Sequence, residues 1–180
     1  MKFNPWGFKY KLLSGNLNHK PMILNKPIKN IITKLIDLPV EKQRNLFTNL
    51  GVAYRILKQL EKAEEFLTRA LDLCSDNEEI IFAAKIRLAH CFQWQKRFEL
   101  SNSMFNELQT ELFHKIKNLK LISFFWQHKG KNEFDQGHFS EALSCFEKSL
   151  QIRIEQAFSH DLIESAQIAV SEAKNRLFGF

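Results

Sequence analysis

The 180-residue sequence predicts an all-α fold, an α-solenoid of three helix pairs with a C-terminal capping helix and a short N-terminal cap. Two observations carry this prediction. After Pro39 the chain contains no proline, and apolar residues recur at three- and four-residue steps without a long alternating stretch. In addition, one pattern of small and large apolar residues recurs three times, which is typical of stacked helical repeats.

The N-terminal segment, residues 1–38, differs in composition from residues 39–180, which we assign to the repeat domain. Residues 1–36 contain seven lysines and no acidic residue, whereas residues 37–180 contain 19 basic and 20 acidic residues, so the net charge of +6 comes from this segment. The isoleucines of residues 27–36 predict a short helix that caps the first repeat. Alternation at residues 8–12, followed by a Ser-Gly-Asn turn signal, also fits a short hairpin.

The same segment has neither the continuous apolar stretch of a secretory signal nor the arginine content of a mitochondrial presequence. No run of the sequence is long enough to span a bilayer, so we expect a cytoplasmic protein without a membrane span.

The first repeat unit covers residues 44–77. Gly51 and Ala63 are small where two helices are expected to cross closely, because a larger side chain would push the backbones apart. Apolar side chains recur at helical spacing on both helices. They are Phe47, Leu50 and Tyr54 on the first helix, and Phe66, Leu67, Ala70 and Leu71 on the second. An isolated helical hairpin is the alternative for this unit taken alone.

Two further units make an array the better interpretation. They cover residues 82–115 and 123–156, with starting points 38 and then 41 residues apart. The second unit is the weaker, because Ser101 replaces the usual alanine and Lys85 stands where an aromatic residue is expected. The third restores the pattern, with Gly130 at the helix crossing and Gly137 at the turn.

Residues 159–177 predict a capping helix with one apolar and one charged face. The apolar face comprises Leu162, Ala166, Ala169, Val170, Ala173 and Leu177. The tail, residues 178–180, either folds back on this helix or contacts a partner or a second copy of the chain.

The spacing of the first unit resembles that of the tetratricopeptide repeat, especially its extended bacterial and kinesin-light-chain-like variants. Phe47, Leu50, Gly51, Tyr54, Ala63, Leu67 and Ala70 stand at positions 4, 7, 8, 11, 20, 24 and 27 of a 34-residue unit. The resemblance implies a non-enzymatic protein- or peptide-binding module with a concave face lined by first helices. We define the predicted groove as Arg55, Arg87, His90, Gln93, Trp94, Phe124, Gln127, His128 and Lys131.

The predicted groove combines cations, amides and aromatic rings, which suits a protein or peptide with acidic and apolar side chains. Trp94 and Phe124 would be anchors, and Arg55, Arg87 and Lys131 would be charge partners. The alternative is that any of these residues packs against a neighbouring repeat, and that Trp94 and Phe134 belong to the core.

Family members that bind the acidic C terminus of chaperones use a lysine and an asparagine in the first repeat and a basic pair in the third. This chain has Thr48 and Val52, then Phe124 and His128, so chaperone-tail binding is disfavoured. The resemblance is compatible with an adaptor or with a neutraliser or regulator of one dedicated partner, and with a homo-oligomer formed through the terminal segments. The alternative is a nucleic-acid-associated factor that uses the N-terminal lysines.

The sequence contains no pattern typical of catalysis, cofactor binding or metal binding. Phosphate-binding glycine loops and nucleophile motifs are absent, and paired glutamates fall near helix starts, where they complement the helix dipole. The cysteines Cys74, Cys91 and Cys145 are widely spaced within predicted helices, and the six histidines lack metal-ligand spacing. We therefore expect no catalytic residues, cofactor or metal.

Overall fold

The computed structural model describes residues 38–75 and 77–179, apart from the side chains of residues 113 and 114. Within these residues the chain forms seven α-helices and no strand, which confirms the all-α prediction. The helices are α1 Val40–Ile56, α2 Leu60–Asp72, α3 Glu78–Trp94, α4 Phe98–Lys115, α5 Leu119–Asp135, α6 Phe139–Glu155 and α7 His160–Phe178. The predicted N-terminal cap lies outside the described residues except for residue 38.

The turns inside the three helix pairs repeat one backbone conformation. Lys58, Lys96 and Gly137 each have a positive φ, and they lie 38 and then 41 residues apart, as the predicted repeat starts do. In each turn the N–H of the next residue donates a hydrogen bond to the carbonyl five residues before it. This pattern is typical of helices that end at a residue in the left-handed conformation. The repeated geometry therefore extends to the loops. Only the third turn uses glycine, although a left-handed residue is required in all three.

Two connections between pairs are fixed by asparagine caps. The Asn77 side chain accepts a hydrogen bond from the Ile80 N–H at the start of α3, and Asn118 does the same for Leu121 at the start of α5. Each cap satisfies an N–H group that lacks a partner within the helix. The first helix of each pair begins four residues before the predicted repeat start, at residues 40, 78 and 119.

The small residues lie where each pair of helices is closest. A Cβ atom added at Gly51 would lie 2.5 Å from Cγ of Leu67, and one added at Gly130 would lie 2.5 Å from the ring of Phe146. Ala89, in the corresponding position of α3, is fully buried. Leu67 belongs to α2 and Phe146 to α6, the partner helices of α1 and α5. The glycines therefore set the distance between the two helices of each pair.

Three apolar clusters follow one another along the array. The first joins α1, α2 and α3, the second joins α3 to α6, and the third joins α5, α6 and α7. Phe134 belongs to the third cluster, and α7 contributes Ala169, Val170 and Ala173 to it. The array is therefore covered by α7 at its C-terminal end.

Three details differ from the sequence-based expectation. Leu177, predicted on the apolar face of α7, is 38% exposed and lies in the last turn of that helix, next to the 63% exposed Phe178. Cys74 follows the end of α2 instead of lying within the helix. Lys85, in the position expected for an aromatic residue, bonds to Glu107 and Glu111 of α4 at 2.7 and 3.1 Å, so an ion pair takes the place of ring packing.

Replacing Gly51 with leucine should lower the free energy of unfolding by roughly 1 to 3 kcal/mol, because the added atoms collide with Leu67 in a filled crossing. Denaturant unfolding measures the effect. Ala53→Leu is the control, since Ala53 is an exposed residue of the same helix. Equal stability of Gly51→Leu and the control variant would mean that the crossing is not tightly packed.

Candidate functional site

The first helices of the three pairs form one row, because α3 packs against both α1 and α5. Five predicted groove residues from this row line a single pocket of about 220 Å³. They are Arg55 from α1, Arg87 and His90 from α3, and Phe124 and His128 from α5. We call this the histidine pocket. The structure therefore brings together residues that are up to 73 positions apart in the sequence.

A larger pocket of about 420 Å³ adjoins the histidine pocket, and the two share Ala83, Arg87, Leu121 and Phe124. Arg44 and Lys120 bring further positive charge to it, and Glu79 brings negative charge. The exposed surface along the first helices is thus a continuous depression with more cations than anions in its lining.

Aromatic rings and a guanidinium form a row across the groove. The guanidinium of Arg55 lies 5.1 Å from the ring centre of Trp94, whose Nε1 donates to Nε2 of His90 at 3.0 Å. The rings of His90 and His128 have centres 4.1 Å apart, and the ring of Phe124 lies 6.3 Å from His128 in a nearly parallel orientation. This row links α1, α3 and α5.

The contacts of His90 fix its protonation state. Its Nε2 accepts from Trp94 and lies 3.3 Å from Nη1 of Arg55. Indole and guanidinium nitrogens are donors only, so Nε2 carries a lone pair and the ring is neutral with its proton on Nδ1. Burial lowers the pKa of His90 well below its ordinary value, and His128, Arg55 and Lys131 lower it further.

His128 is held neutral by a similar environment. Burial lowers its pKa well below the ordinary value, and the charges of Lys131, Arg55, Arg153 and Arg87 act in the same direction. Its Nδ1 is buried and has no hydrogen-bond partner among the described residues. The pocket therefore contains two neutral imidazoles in a strongly cationic environment.

Five predicted groove residues are buried, which differs from the expectation that they line an open surface. Gln93, Gln127 and Lys131 are 1%, 3% and 3% exposed, and Arg55 and His90 are 8% and 6% exposed. α3 and α5 pack against helices on both sides. A neighbouring helix therefore also covers side chains that face away from the close contact within their own helix pair. Gln93 donates to Oδ2 of Asp135 at 2.7 Å. Trp94 is only half-buried, and it lines a neighbouring pocket with Gln93 and Asp135.

Sequence reasoning missed Arg153, which comes from a second helix, α6. It is 1% exposed, its Nη1 donates to the Leu162 carbonyl at 2.6 Å and to Ser165, and its guanidinium lies 5.5 Å from the ring centre of Phe124. Its Nε is buried without a hydrogen-bond partner in the described part of the chain. The signal in the sequence was an arginine on the apolar stripe of α6, four residues after Ser149.

Among the described residues, one group of potential metal ligands lies outside the groove, at the start of α7. His160, Asp161 and Glu164 could bring ligand atoms within 4.8 Å of one another, but all three are exposed on the first turns of α7. Across residues 38–75 and 77–179, no helix has the length and apolar character needed to cross a membrane.

Residues 45–77 match the family model of the tetratricopeptide repeat. Comparisons with curated proteins and with solved structures give no match. Tetratricopeptide repeats generally mediate protein–protein interactions, and the family is typically non-enzymatic. The match covers most of the first helix pair, α1 and α2, and the two following pairs repeat its turn geometry.

Proposed function

We propose that this chain is a non-enzymatic module that binds a protein or peptide along the depression formed by α1, α3 and α5. The partner presents acidic and apolar side chains. In the cell the module acts as an adaptor, or as a neutraliser or regulator of one dedicated partner, in the cytoplasm.

The observation that carries the proposal is the charge of the histidine pocket. Arg55 and Arg87 line it, and none of the described residues that line it is acidic. Residues 37–180 as a whole contain 19 basic and 20 acidic residues, so the positive lining is not a consequence of general composition. Complementary charge favours association with an acidic partner and suppresses association with a basic one.

The apolar part of the pocket lining supports a partner that presents apolar side chains. Val52, Ile86, Leu121 and the half-buried Phe124 form walls beside the cations. Binding energy in protein interfaces concentrates where aromatic and arginine side chains meet in water-excluding pockets. A partner with an apolar side chain next to an acidic one fits this lining.

Affinity capture with the tagged full-length chain tests the proposal. Arg87→Glu should greatly reduce recovery of the partner, because Arg87 is exposed and lines both adjoining pockets. Lys148→Glu is the matched control, since Lys148 is an exposed cation of the second helix α6. Mass spectrometry identifies and quantifies what is retained.

Recovery of the same protein by wild type and Lys148→Glu, but not by Arg87→Glu, supports the proposal. Equal recovery by all three would place the binding surface elsewhere. Loss of the captured material after nuclease treatment, or after deletion of residues 1–20, would favour the nucleic-acid alternative.

A further inference from the structure

The histidine pocket has hydrogen-bonding capacity that the described residues do not use. Nη1 of Arg87 donates to the Ala83 carbonyl of its own helix at 2.7 Å, and no described carboxylate lies within ion-pair distance of this guanidinium. A guanidinium has five N–H donors, so most of them remain for a ligand. The buried Nδ1 of His128 is a further polar atom without a partner in this part of the chain.

Positive charge reaches the pocket from every helix packed around it. Arg55 belongs to α1, Arg87 to α3, Lys131 to α5 and Arg153 to α6. Asp135, the carboxylate that raises the pKa of Lys131, bonds to Gln93 and lines a different pocket. The local field therefore favours an anion in the histidine pocket.

We propose that the histidine pocket is an oxyanion site, which takes a single carboxylate or phosphate group of the bound partner through Arg87 and the His90–His128 pair. This inference rests on the proposed function, because it assigns one chemical group of that partner to one pocket. A volume of about 220 Å³ admits one such group with its adjacent carbons. The apolar wall at Phe124 contacts those carbons.

Binding of the anion is coupled to proton uptake by His128. An oxyanion beside the two imidazoles favours a positive charge on one of them, since it offsets the surrounding cations. Nε2 of His90 already accepts from Trp94 and approaches Arg55, whereas Nδ1 of His128 has no described partner. His128 is therefore the group that gains the proton, and at most one proton is taken up for each anion bound.

The sign of the pH dependence follows from this linkage. Without ligand the pKa of His128 lies well below its ordinary value, so the ring is neutral near neutral pH. Bound anion raises that pKa, so affinity increases as pH falls, by at most about tenfold per pH unit for one proton.

The test uses the full-length chain labelled with ¹⁵N-histidine, observed by NMR during titration with sodium glutarate or sodium sulfate at constant ionic strength. Glutarate represents a carboxylate side chain and sulfate represents a phosphate group. We expect saturable shifts of the His128 ring nitrogens towards the protonated form, and tighter binding at about pH 6.5 than at about pH 7.5. The exposed His138 and His160 serve as internal controls.

Two variants make the test specific. Arg87→Gln should weaken the binding of both anions. His128→Gln should leave a folded protein whose anion affinity changes less with pH than that of the wild type, and the remaining change comes from Lys131, whose pKa is about 7. Stronger binding of glutarate than sulfate indicates a carboxylate as the natural group, and the reverse indicates a phosphate.

Shifts no larger than those caused by sodium chloride, or equal binding by Arg87→Gln, would overturn the oxyanion site. The titration needs no partner protein. A partner captured through Arg87 would leave the proposed function intact even if both anions failed to bind.

Discussion

Replacing Lys131 with methionine should raise the free energy of unfolding at neutral pH by about 1 kcal/mol or more, the lower end of the gain when buried ionic groups are replaced by apolar ones. Lys131 is 3% exposed in α5. Burial, together with the nearby charges of Arg55 and Arg153, lowers its pKa to about 7, whereas Asp135 acts in the opposite direction. The charged form is therefore disfavoured in the folded protein.

The pH dependence of the free energy of unfolding tests the same prediction in a second way. The pKa of Lys131 is about 7 in the folded chain and 10.5 for an ordinary lysine, so the unfolded chain binds more protons between these values. Stability of the wild type should consequently rise with pH across this window, and Lys131→Met should lack that part of the rise. Denaturant unfolding at a series of pH values measures both effects.

Lys148→Met is the control for Lys131→Met, because Lys148 is an exposed lysine of α6. A Lys131→Met variant less stable than the wild type at neutral pH would contradict the prediction. We expect the stabilised variant to bind an acidic partner less tightly, since it removes one of the cations around the histidine pocket. A stability cost retained at a binding site is common among natural proteins.

The crossing geometry could be predicted from the sequence because it depends on local spacing. Small residues at Gly51, Ala89 and Gly130 lie on the same helix face as the large apolar residues around them, and the structure places them at the closest approaches. Helical periodicity alone determines that arrangement.

The accessibility of the groove could not be predicted in the same way. Helical spacing indicates that Gln127 and Lys131 face away from the crossing, but it does not indicate how much of that face the next helix covers. α3 is packed between α1 and α5, so residues beside the groove become buried between first helices. The prediction of an exposed Lys131 therefore gave the correct helix face and the wrong exposure.

The position of Arg153 beside the groove could not be predicted from the repeat pattern. The repeat pattern assigns binding residues to first helices, whereas Arg153 projects from α6 and lies over the ring of Phe124. A buried arginine on an otherwise apolar helix stripe is the signal that would have found it, because such a residue is rarely buried without partners.

Replacing Trp94 with alanine should weaken binding of the partner by about 2 kcal/mol or more, which is about 30-fold in Kd. Trp94 is the largest ring of the row across the groove, and it contacts both Arg55 and His90. Its removal takes away contact area and also leaves the guanidinium and the imidazole without their neighbour. Trp94→Phe should have a smaller effect, because it keeps one aromatic ring and loses the five-membered ring of the indole with its N–H.

The affinity of the purified partner for wild type, Trp94→Phe and Trp94→Ala, measured by calorimetry on variants with wild-type helical content, tests the groove most directly. The account predicts a stepwise loss of affinity in that order, with the largest loss for alanine. Unchanged affinity of a folded Trp94→Ala variant would contradict binding along α1, α3 and α5.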